Sequence, residues 1–121
     1  MKLRIRGSSL RLRITKGEVE RLRAGQMVVE TVPFGPSALS YALRVAETPA
    51  IHAHFEAGRI EVEVPRALAE EWLGSERVGI AAEQVVGEGG PLQILLEKDF
   101  ACLKPRQGDD DSDAFPHPGA R

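Results

Sequence analysis

The stretch Lys2–Ile14, KLRIRGSSLRLRI, decides how the rest of the chain is read. Leu3, Ile5, Leu10, Leu12 and Ile14 alternate with Lys2, Arg4, Arg6, Arg11 and Arg13, the period-2 pattern of half-buried strands. Gly7-Ser8-Ser9 interrupts the alternation where a hairpin turn belongs. The reading is two short strands, apolar on one face and carrying five cations on the other.

A helix signal follows at once. Thr15 to Glu18, TKGE, is a capping box, in which the hydroxyl takes an orphan amide and the carboxylate reaches back. Val19 and Leu22 supply a short apolar stripe, and Gly25 is a stop signal. Met27–Val32 is β-branched and strand-like, Pro33 to Pro36 turns the chain, and Leu39, Tyr41, Leu43 and Val45 alternate as a further strand.

The same order then returns. Ile51–Glu56 and Arg59–Val64 form a hairpin around Ala57-Gly58, and Pro65 suits the first position of a helix carrying Leu68 and Trp72. Gly74 ends that helix, and Val78–Val86 and Leu92–Leu96 are two more strands. Laying residue n over n+50 places Leu10, Leu12 and Ile14 on Ile60, Val62 and Val64, Leu22 on Trp72, and Val28 on Val78. The fold class expected is α+β, with a mainly antiparallel, barrel-like sheet, two short helices and an internal strand–strand–helix–strand–strand duplication. Because Arg11 and Arg13 fall on Glu61 and Glu63, pairing of the equivalent strands would build an Arg/Glu ladder between them.

Length and composition bound the rest. With 121 residues, 42% hydrophobic and 28% charged, the chain suits one domain with one core. We read residues 1–99 as that domain and 100–121 as an irregular acidic tail. The N-terminus lacks the continuous apolar segment of a signal peptide, and no run approaches bilayer length. The lone Cys102 excludes an internal disulfide, so a cytoplasmic protein is expected. The net charge of −2 hides an asymmetry: residues 1–25 hold eight Lys or Arg and two acids, whereas 26–103 hold five and twelve. Internal pairing is therefore available to the basic start, which weakens it as a nucleic-acid signal.

Two resemblances add to this reading. Gly58 to Ser75, GRIEVEVPRALAEEWLGS, with Arg77 to Ile80 following, resembles the AbrB/MazE swapped-hairpin DNA-binding fold. That resemblance implies a cradle-loop barrel of two interlocked units, here supplied by one chain. It carries DNA binding over poorly, since this hairpin bears Glu56, Glu61 and Glu63. A more extensive resemblance joins Ile5–Arg13, Phe34-Gly35, Leu39 to Leu43, Glu97–Arg106 (EKDFACLKPR) and Asp113–Pro116. On these residues the chain resembles a family of small bacterial proteins of unknown function, which implies no activity.

Four features are candidates for chemistry. Arg4, Arg6, Arg11 and Arg13 on adjacent strands suit bidentate capture of phosphate or carboxylate, against the plainer reading that they pair with this chain's own acids. Asp109, Asp110, Asp111 and Asp113 are dense, but an EF-hand loop from Asp109 would need Gly and Glu where Ala114 and Ala120 stand. A solvated tail, or one docked on the arginine face, is the reading preferred. Cys102 as a nucleophile, with a histidine as base, defines an enzyme alternative, against the commoner inert thiol. His52 and His54 share a strand face but lack a third metal ligand, and the Gly87 to Gly90 loop has neither Walker nor Rossmann spacing.

The functional expectation is a non-enzymatic binding or interaction module using the arginine face, with no metal or cofactor. Its partner would be an anionic ligand or a protein, without membrane, and a homodimer is compatible. An AbrB-like nucleic-acid binder is the alternative.

Overall fold

A computed structural model describes residues 1–99. The expected β-β-α-β-β order occurs twice: β1 (Lys2–Arg6), β2 (Ser9–Ile14), α1 (Lys16–Arg23), β3 (Val28–Pro33) and β4 (Ala38–Ala46), then β5 (His52–Glu56), β6 (Arg59–Pro65), α2 (Arg66–Leu73), β7 (Gly79–Val85) and β8 (Pro91–Lys98). Consecutive strands form four antiparallel hairpins. At the β5–β6 turn Ala57 and Gly58 both hold positive φ, 52° and 75°, as a tight two-residue hairpin demands.

Local signals set both helices. Thr15 Oγ1 accepts the Glu18 amide and the Glu18 carboxylate accepts the Thr15 N–H, so the capping box is complete. Pro65 sits one position earlier than expected, as the cap residue of α2 and the end of β6. Trp72 is buried, and its indole N–H donates to the Val78 carbonyl at 3.2 Å.

Long-range pairing departs from expectation. The strands form two four-stranded sheets, β1-β2-β8-β7 and β3-β4-β6-β5, neither closed. The mainly antiparallel barrel is therefore not what forms: each sheet is mixed, with a parallel pair at its centre, β2 with β8 and β4 with β6. Nor do the equivalent strands β2 and β6 meet; they lie in different sheets, so the ladder from Arg11 and Arg13 to Glu61 and Glu63 does not exist. Each half instead gives its first hairpin to one sheet and its second to the other. One chain thus supplies both interlocked units, but as two sheets and not a barrel.

The core lies between the sheets. Leu12, Ile14, Leu43, Val62, Val64, Ile94 and Leu96 are almost wholly buried there, each contributing roughly 1.5–3 kcal/mol. The registers refine the repeat. Leu12 lies level with Leu96, which lies level with Ile80; Val62 lies level with Leu43, which lies level with Val28. Val28 therefore corresponds to Ile80, two residues beyond the Val78 that a constant shift of 50 selects.

Side chains clasp the unclosed seams. Across β7 and β5, the Gln84 amide accepts the Ala53 N–H at 2.7 Å and donates to the Ala53 carbonyl at 2.8 Å, standing in for a strand on that edge. Across β1 and β3, the Met1 ammonium lies 2.5 Å from Glu18 and 3.1 Å from Glu30, and the Tyr41 hydroxyl donates to the Met1 carbonyl. Burial opposes charge on both partners. Hydrogen bonds that the ammonium donates to the Glu18 and Glu30 carboxylates nevertheless hold its pKa above its ordinary value. The ammonium and the Thr15 groups likewise hold the Glu18 carboxyl below its own.

Candidate functional site

Strand alternation turns Lys2, Arg4, Arg6, Arg11 and Arg13 to the outer face of the first sheet. The β1–β2 register sets Lys2 level with Arg13 and Arg4 level with Arg11, so like charges lie directly opposite each other. Such pairs repel, and an arrangement of this kind requires a counter-charge.

Part of that counter-charge comes from β8. The parallel register sets Glu97 level with Arg13, and its carboxylate lies 3.4 Å from both Arg11 Nε and Arg13 Nη2. Lys2 Nζ lies 3.5 Å from Asp99, just past the end of β8. Glu83 on β7 accepts a hydrogen bond from Gln93 at 2.8 Å. Arg4 and Arg6, on the edge strand β1, are exposed and make no ion pair among the described residues. A depression of about 200 Å³ lies here, lined by Lys2, Leu3, Arg4, Arg11 and Arg13. The structure therefore brings the four predicted arginines to one face and satisfies two of them.

The acids expected to neutralise this face are occupied elsewhere. Glu61 and Glu63 share Arg44 of β4 on the outer face of the second sheet, and Arg59 and His54 also approach Glu61. His52 and His54 lie on that face with ring centroids 5.7 Å apart. Among the described residues no group of three or more His, Cys, Asp or Glu is placed to hold a metal ion. Cys102 and the acidic tail lie outside the described residues. None of the four strands of the arginine sheet carries an aromatic side chain, so it has no stacking platform for bases.

Sequence reasoning missed a second surface. An apolar cleft of about 510 Å³ opens between the sheets at their turn end, lined by Ile5, Leu10, Leu39, Ala53, His54, Phe55, Ile60, Val86 and Leu92. Alternation assigns Ile5 and Phe55 to the interior face, but it does not reveal that the sheets part beyond them.

Fold and face together define an α+β protein of two mixed sheets, one of which carries a cation-rich outer surface. No helix among the described residues is long and apolar enough to cross a membrane. The chain belongs to DUF7009, a family of unknown function matched over residues 1–119, which agrees with the resemblance carried by Ile5–Arg13 and Glu97–Arg106. No curated protein and no solved structure matches the chain.

Proposed function

We propose that this protein is a binding module, not an enzyme, and that it captures an anionic group on the outer face of the first sheet. The carrying observation is the imbalance on that face. Lys2, Arg4, Arg6, Arg11 and Arg13 stand against Asp99, Glu97 and Glu83, and Arg4 and Arg6 have no ion-pair partner among the described residues. Guanidiniums on adjacent strands present paired N–H donors at a spacing suited to phosphate or carboxylate oxygens. A charged protein segment or a small phosphorylated ligand meets this requirement. An extended nucleic acid is the second candidate and is favoured only by charge.

Calorimetric titration of the full chain with tripolyphosphate tests the reading. Binding should weaken at least tenfold in the Arg4→Ala, Arg11→Ala double variant while the fold is kept. Binding that ignores those substitutions, or no binding at all, overturns it. Retention on duplex DNA at physiological ionic strength, falling steeply with salt, would instead select the nucleic-acid alternative.

A further inference from the structure

The hairpin turns of both sheets gather at the end where the apolar cleft opens, because β2 runs parallel to β8 and β4 to β6, each leaving its turn. The helices follow Ile14 and Pro65 and so close the opposite end. At the turn end no described element plays that part: Ile5 is 56% and Phe55 69% exposed, although both lie on interior faces. Val32, level with the cleft residue Leu39, is exposed too, as are Phe34 and Val86 in the adjoining turns. These five side chains leave roughly 600 Å² in water, the upper end of what the largest apolar patch on a monomer covers. With the turns and charges around them, the end approaches the area of about 800 Å² that each partner of a stable complex buries.

The rim of this end repeats with inverted charge. Arg6 ends β1 and Glu56 ends β5, equivalent positions in the two halves, as are Ile5 and Phe55 beside them. Both charged side chains are exposed, and neither makes an ion pair among the described residues. Arg59, level with Glu56, turns to Glu61 instead. Nor can Arg6 and Glu56 meet within one molecule. The seams join β1 to β3 through Met1 and Glu30, and β5 to β7 through Ala53 and Gln84. The edge strands β1 and β5 therefore stand at diagonally opposite corners.

We propose that a second copy of this chain covers the cleft, in a dimer joined turn end to turn end about a twofold axis. With the sheets of one copy crossing those of the other, the axis sets Arg6 against the second copy's Glu56, and Glu56 against its Arg6. Ile5 and Phe55 meet in the same reciprocal way beside them. An isologous interface requires self-complementarity of this kind, and an apolar centre within a charged rim is its usual composition. The depression on the arginine face is lined by Lys2, Leu3, Arg4, Arg11 and Arg13 but not by Arg6, so the dimer leaves it open to an anion.

Sedimentation equilibrium of the full chain tests the proposal. The parent should be a dimer at tens of micromolar, and a monomer there overturns it. Arg6→Glu and Glu56→Arg each set like charges opposite one another, so each alone should weaken the dimer at least tenfold. Mixing the two single variants, or combining both substitutions in one chain, should restore association, because either arrangement puts opposite charges back in register. That recovery separates a broken contact from a damaged fold. A dimer that ignores the single substitutions, or a loss that neither mixing nor combination recovers, assigns association to another surface and overturns the proposal. The inference does not depend on the anion-binding reading: the tripolyphosphate titration reads Arg4 and Arg11, and either experiment can fail while the other succeeds.

Discussion

Arg44 and Glu97 occupy the same place in the two halves of the fold and carry opposite charges. Arg44 lies on β4 level with Glu63 of β6, and Glu97 lies on β8 level with Arg13 of β2. Since Arg13 and Glu63 are themselves equivalent, each sheet has a triad of one charge flanked by two of the other. The first sheet sets one carboxylate against Arg11 and Arg13; the second sets one guanidinium against Glu61 and Glu63. Repetition of the framework with inverted charge leaves the first sheet basic on its outer face.

The two triads should respond unequally to neutralisation. Arg44→Gln leaves Glu61 and Glu63, both largely buried, facing each other's charge, and should cost about 1–2 kcal/mol in urea unfolding. Glu97→Gln leaves Arg11 and Arg13, which are more exposed than Glu61 and Glu63, and should cost about 0.2–1 kcal/mol. It should also strengthen tripolyphosphate binding, because Arg11 and Arg13 lose their internal competitor.

Gln84 should matter more than an amide on a sheet edge usually does. Gln84→Ala strands the N–H and the carbonyl of the buried Ala53, and a loss of about 1–3 kcal/mol is expected. Hydrogen exchange at the Ala53 amide should accelerate more than at the neighbouring amides of β5.

Stability should fall off at both ends of the pH range through one ion pair. The Met1 ammonium, raised in the folded protein, contributes fully below its unfolded pKa of about 8.0 and loses that contribution as pH rises through the folded value. Glu18, lowered in the folded protein, contributes above its unfolded value of about 4.5 and loses it as pH falls through the folded one. Glu18→Gln should flatten both limbs in unfolding experiments between pH 3 and pH 10. Unchanged limbs would show that the pair carries none of this dependence.

Two glycines should behave in opposite ways on replacement by alanine. A Cβ at Gly79 would lie 2.8 Å from the Leu96 carbonyl oxygen, a backbone atom of the paired strand, so Gly79→Ala should destabilise by about 1–3 kcal/mol. Gly17, in the first turn of α1, has open space around it, and Gly17→Ala should stabilise by up to about 1 kcal/mol. Thermal unfolding of the two variants beside the parent checks both.

The sequence by itself determined what depends on neighbours along the chain. Period-2 alternation placed the hairpins and sorted Arg4, Arg6, Arg11 and Arg13 onto one face, and the Thr15–Glu18 capping box and Pro65 started the helices. The 50-residue shift exposed the repeated element order. All of these are local, because backbone geometry and capping act over a few residues.

Only the tertiary structure decided which hairpin lies beside which. β2 and β8 are about 80 residues apart in sequence, and their alternation is equally compatible with a closed antiparallel barrel or with two mixed sheets. That choice moved the partner of Arg11 and Arg13 from Glu61 and Glu63 to Glu97. It also left the seams to Gln84 and Met1, and opened the cleft beside Ile5 and Phe55. A period of two tells a side chain which face to take; what covers that face is set by the packing of segments far apart in the chain.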